Sequence, residues 1–159
     1  MDAHRTSAEG SPGVGGMMHV VPVTLLTHMK IYRFGTRGWS ADRLYGGPWW
    51  VGVSACDELT KLAARQARSL RDVARERLAI LSEWGNAMDA LVRAAVRQPL
   101  SAWSGTPRTA RSKVERRYGD AQRSDRSITH LYVLCLKENG PVGAPVWSGA
   151  LLVGVDYIQ

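Results

Sequence analysis

The sequence predicts an α+β domain: a small mixed or antiparallel sheet around a grouped helical middle. Two observations carry this. Alternating or β-branched apolar runs stand near the two ends of the chain, and a series of apolar residues at steps of three and four fills the centre. At 159 residues with 45% hydrophobic content the chain has the length of one domain and enough apolar surface for a core without disulfides or a metal.

The first 28 residues read as a tail. MDAHRTSAEGSPGVGG is rich in glycine and serine and has no periodicity. HVVPVTLLTH, residues 19–28, is too short for a membrane span, contains Pro22, and lacks the flanks of a signal peptide. The expected domain runs over residues 29–159, in a cytoplasmic chain with no membrane partner. GVGG is not a phosphate loop, because no Lys-Ser or Lys-Thr follows it.

Met29–Phe34 forms the first expected strand, since Ile31 and Tyr32 favour strands and Gly35 ends the run. A glycine-bearing loop, residues 35–48, leads to a second strand at Trp49–Ser54. Ser54 with Asp57 makes a capping pattern for a helix. The apolar steps from Leu59 to Trp84 describe one long helix, or two with a break near Ser69. Gly85 stops this stretch, and Asn86 with Asp89 starts another helix through Val96, ended by Pro99. Residues 100–110, LSAWSGTPRTA, read as a loop. Ile128–Lys137 is a strand, and LLVGVDYI, residues 151–158, is the last one.

The two cysteines, Cys56 and Cys135, are far apart and have no neighbouring histidine spacing, which argues against zinc and for reduced thiols near a core. Cys56 stands near a helix start, where a thiol pKa can fall. The net charge of +7 favours anionic partners: nucleic acid or an acidic protein. Between Arg108 and Arg126 seven Arg or Lys face three Asp or Glu. Arg108, Arg111, Lys113, Arg116 and Arg117 are the candidate phosphate contacts, or else a solvated face. Trp103 and Arg108 share a Gly/Pro segment that suits a binding loop or a loop anchored by its tryptophan.

In YGGPWW, residues 45–50, alternation along a strand sends Trp49 and Trp50 to opposite faces, so the two rings do not serve one core face. One ring packs inside; the other is exposed or lines a cleft where it stacks on a base or nicotinamide. By the same alternation Arg33 faces away from Tyr32 and Phe34, either into solvent or into a cleft where its planar fork meets phosphate or carboxylate.

Arg33 on an early strand, followed by Gly46-Gly47-Pro48-Trp49, a second strand and a helix, resembles RES-type toxins and related ADP-ribosyltransferase-like domains over Met29 to about Leu70. The resemblance implies an NAD-using transferase or glycohydrolase of the toxin type, with NAD held in a cleft between two small sheets and no metal. Arg33 would bind the diphosphate, with Gly46, Gly47, Trp49, Trp50 and Ser54 around the nucleotide. Trp50 stands where that group carries an asparagine-like residue. The late catalytic glutamate falls, by position, on Glu138. The other function class is a non-enzymatic basic protein that binds nucleic acid or a protein partner, such as an accessory protein of a mobile element.

Overall fold

A computed structural model describes residues 2–10, 16–81, 84–108 and 128–159. The fold is α+β. Its elements are α1 (Asp2–Glu9), β1 (Met17–Leu25), β2 (Lys30–Gly35), α2 (Ala41–Tyr45), β3 (Trp49–Gly52), α3 (Val53–Gln66) and α4 (Leu70–Arg77). They continue with β4 (Ala90–Val96), β5 (Leu100–Pro107), β6 (His130–Val133), α5 (Val146–Ala150) and β7 (Leu151–Tyr157).

The strands make one seven-stranded sheet in the order β1-β5-β6-β3-β2-β4-β7, antiparallel throughout. Its weakest seam is central. β2 and β3 are joined only by the pairs Ile31↔Gly52 and Tyr32↔Val51, whereas β2 and β4 share six pairs. The sheet thus divides into a four-stranded half, β1-β5-β6-β3, and a three-stranded half, β2-β4-β7.

All seven strands contribute to one apolar cluster around Leu25, Ile31, Trp50, Val92, Leu100, Leu131 and Leu151. A second cluster packs α3 and α4, through Leu59, Ala63, Val73 and Ala74, on Phe34, Val51 and Met88. A third holds Ala8 of α1 against Met17 and Trp103.

Several expectations are corrected. Part of the supposed tail is structured: residues 17–25 pair with β5 at seven positions, and α1 precedes them. Pro22 is tolerated because β1 is an edge strand, where a missing N–H faces no partner. The supposed helix after Asn86 is β4, whose burial alternates from Ala90 to Val96. Ala90, Val92, Ala94 and Val96 are its buried face, and the other face carries Leu91, Arg93 and Ala95; with Leu91 and Ala95 also apolar, the run fits a helical spacing as well and does not reveal its period. The supposed loop at residues 100–110 holds β5. Gly105 fits there because a Cβ would come 2.6 Å from the Met18 carbonyl oxygen, at the irregularity in β1. Trp103 is 5% exposed, so it is core and not part of a binding loop.

The central helical stretch is two helices. Ala67 adopts φ 50 and ends α3, and the Ser69 hydroxyl accepts from the Asp72 amide to start α4. α4 stops at Arg77, well before Gly85, and Ala79 turns back with φ 53. β3 ends at Gly52, and α3 begins there without a side-chain cap, so Ser54 lies inside the first turn and does not cap it. β6 ends at Val133, shorter than expected, with Cys135 at φ 62 just beyond.

Candidate functional site

The seam between β2 and β3 opens onto a cavity of about 400 Å³. Its walls include Tyr32, Arg33 and Phe34 of β2, Trp49, Trp50 and Val51 of β3, and His130 of β6. Trp39 closes one side, Leu78–Ile80 with Trp84 and Asn86 another, and Ser7 with Gly10 bring in α1. Among the described lining residues there is no carboxylate.

Arg33 is the central charge. One terminal nitrogen donates to the Trp49 carbonyl at 3.1 Å, and the other to the Arg43 carbonyl at 3.3 Å. Its Nε is buried and has no hydrogen-bond partner. Burial, reinforced by the nearby Arg43 charge, lowers the guanidinium pKa to about 10, so the group stays cationic at neutral pH. Gly47 explains how the group fits: a Cβ there would overlap the guanidinium carbon and both terminal nitrogens.

The two tryptophans divide as alternation requires. Trp50 is fully buried in the main cluster, and its indole N–H donates to the Gly47 carbonyl at 2.7 Å. Trp49 lies with His130 and Tyr132, ring centroids 5.0 and 4.9 Å away. Trp39 carries the Arg43 guanidinium 4.1 Å above its ring. Asn86 fixes the rim: its amide donates to the Phe34 carbonyl, and its side-chain oxygen accepts from the Met88 amide and the Thr36 hydroxyl.

His130 is buried beside Arg33, and burial first, then that charge, lowers its pKa to about 4. It is neutral at pH 7. The unfolded chain takes up a proton near pH 6.5, whereas the folded protein resists it until about pH 4. Stability from this residue is therefore present above pH 6.5 and is lost as pH falls toward 4. The loss amounts to about 3 kcal/mol over that window. Urea midpoints at pH 7 and pH 4.5 check this. His130→Phe should flatten the difference, and an unchanged pH dependence in that variant would assign the acid sensitivity elsewhere.

The expected site residues separate. Arg33, Trp49 and Trp50 line the cavity, and Gly47 underlies Arg33. Gly46 instead ends α2 and lies near Lys137 and Trp147. Ser54 borders a different groove, with Val53 and Glu58. Glu138, the candidate by position for the late catalytic glutamate, is exposed on the turn after β6 and is not among the described cavity residues. Cys56 is buried, and burial pushes its thiol pKa up, so it is no thiolate nucleophile. Cys135 is exposed rather than near the core.

Arg108 is committed elsewhere. Its Nε donates to the Glu9 carbonyl at the end of α1, and a terminal nitrogen donates to the Met17 carbonyl. Arg111, Lys113, Arg116 and Arg117 lie outside the described residues. His130, Trp39, Trp84 and Asn86 are cavity residues that sequence reasoning missed. Nothing in their local spacing marks them, because three separate segments converge only through the sheet.

No protein-family model and no curated protein matches the chain. Among solved structures it is similar to one described as Rhs1-CT in complex with cognate immunity protein RhsI1. That match has a TM-score of 0.51 and 15% identity, and covers 89% of this chain and 83% of the other. The likeness is one of fold. Among the described residues no helix is long and apolar enough to cross a membrane.

Proposed function

We propose that this chain is a toxin-like domain that binds NAD in the β2–β3 cavity and splits its nicotinamide–ribose bond, with water or a target side chain as acceptor. The observation that carries the reading is Arg33: a buried guanidinium with an unpartnered Nε, facing no carboxylate among the described lining residues, in a cavity walled by tryptophans. A cation with a free donor suits a diphosphate, and aromatic walls suit a flat base or nicotinamide ring. The cavity volume falls in the ordinary range for small-ligand sites, roughly 300–1,000 Å³. The short seam between two half-sheets also agrees with the cleft that the ADP-ribosyltransferase-like resemblance implies.

In the reaction the ribosyl carbon–nitrogen bond breaks and its electron pair leaves with nicotinamide. The acceptor oxygen or nitrogen bonds to that carbon and gives up a proton. The described lining supplies binding and orientation: Arg33 on the diphosphate, Trp49 against the ring with the buried His130 behind it, and Asn86 holding the rim. Glu138 has no part in it. A protein that blocks the cavity is the expected partner, as the fold likeness to a domain solved with its immunity protein supports.

The test is tryptophan fluorescence and calorimetry of the folded chain titrated with NAD, with short DNA and RNA at two salt concentrations as comparison. Saturable quenching and heat with NAD are expected, and Arg33→Ala should weaken them by about 100-fold or more. Nicotinamide release then separates cleavage from binding. Folded protein that gives neither heat nor quenching with NAD, but a salt-sensitive response to nucleic acid, would overturn the reading in favour of a basic binding protein.

A further inference from the structure

Away from the cavity, three metal-ligating side chains meet from distant parts of the chain. His4 of α1, Cys135 and Glu138 place a ring nitrogen, a thiol sulfur and a carboxylate oxygen within 4.8 Å of one another. We propose that these three residues bind a zinc ion that fastens the N-terminal helix to the turn after β6.

The donor set favours this metal. Thiolate and imidazole select zinc over magnesium and calcium, and a carboxylate completes a common three-ligand set whose fourth position takes water. Ligand atoms around tetrahedral zinc stand roughly 3.5 Å apart. Closing the set from the observed separation needs side-chain movement of about 1 Å, and all three residues are at least partly exposed.

Two of the donors sit on a fixed turn. The Glu138 amide donates to the Cys135 carbonyl, the Val146 amide to the Glu138 carbonyl, and the Trp147 amide to the Leu136 carbonyl. Leu136, between the donors, is 1% exposed and anchors the turn in the main cluster. The third donor rides on a helix already positioned by Ala8 in the core and by Arg108 at the Glu9 carbonyl. A metal here would tie α1, whose Ser7 borders the cavity, to the turn that follows β6, the strand that brings His130 to it. The cysteine–histidine spacing that the sequence lacks is supplied in space, across residues 4 and 135.

The experiment is titration of the tag-free, metal-stripped full chain with zinc, and with cobalt as a spectroscopic stand-in. One equivalent of zinc should bind in competition with a chromophoric chelator. Cobalt should show a thiolate-to-metal charge-transfer band. His4→Ala, Cys135→Ser and Glu138→Gln should each weaken zinc by ~100-fold, and Cys135→Ser should abolish the band. Cys56→Ala should keep both. Limited proteolysis within the first ten residues should slow on adding zinc in the parent chain only. A cobalt complex without the thiolate band, or zinc affinity unchanged in His4→Ala, would overturn the site. None of these readouts depends on NAD.

Discussion

Replacing Gly47 by alanine is expected to destabilise the protein by about 1–3 kcal/mol, the usual range for overpacking a filled site. The added methyl would occupy the space of the Arg33 guanidinium. That group ends a flexible side chain, yet it cannot move without losing its bonds to the Trp49 and Arg43 carbonyls. The cost should therefore vanish once the arginine is gone. In an Arg33→Ala background, Gly47→Ala should be close to neutral, or stabilising by up to about 1 kcal/mol through its effect on the unfolded chain. A double-mutant cycle by urea denaturation measures the coupling directly. Additive costs would mean that Gly47 is needed for its backbone alone. Gly47→Ala should also abolish NAD quenching while the chain stays folded, because it displaces the cation assigned to the diphosphate.

Trp50→Ala should cost more, about 3–5 kcal/mol, enough to leave a domain of this size marginal or unfolded. The ring is fully buried in the cluster to which every strand contributes, and its removal also leaves the Gly47 carbonyl without its indole donor. Trp49→Ala should behave differently. That ring is only partly buried and lies at the cavity wall against His130 and Tyr132. It should lower stability less and the NAD-induced fluorescence change more. Melting curves and NAD titrations of the two variants side by side decide this. If Trp50→Ala melts with the parent, the main cluster does not hold the sheet together as described. If Trp49→Ala quenches like the parent, its ring is not the one that meets the ligand.

The adjacent tryptophans show what local chemistry could reveal. Strand alternation alone places their rings on opposite faces, and the structure puts Trp50 in the core and Trp49 at the cavity. Arg33 was singled out because a charged residue between two aromatic strand residues must point away from them. The amphipathic series marks the central helical stretch, since a helix packed on one side retains its period of 3.6; its division into α3 and α4 comes from the structure.

Local pattern failed where apolar residues stood on both faces of a strand or where the partner came from far along the chain. β4 carries Leu91 and Ala95 on the face opposite its buried residues, so its apolar run also fits a helical spacing and the alternation that would identify it is blurred. β5 looks like a loop because its glycine, serines and threonine are tolerated only with neighbours to satisfy its backbone, and its proline falls at its last residue. Glu138 answers to the late catalytic glutamate only by order along the chain, and order does not set distance. The strand end at Val133 and the left-handed Cys135 turn it toward His4 instead. The sequence by itself determined the α+β class, the helical centre and the facing of Arg33, Trp49 and Trp50, because those depend on periodicity within a few residues. The seven-strand order, the fit of Arg33 over Gly47, the convergence of His130 and Asn86, and the meeting of His4 with Cys135 were decided only by the tertiary structure. They depend on which strands pair, and pairing is set by contacts between residues dozens of positions apart.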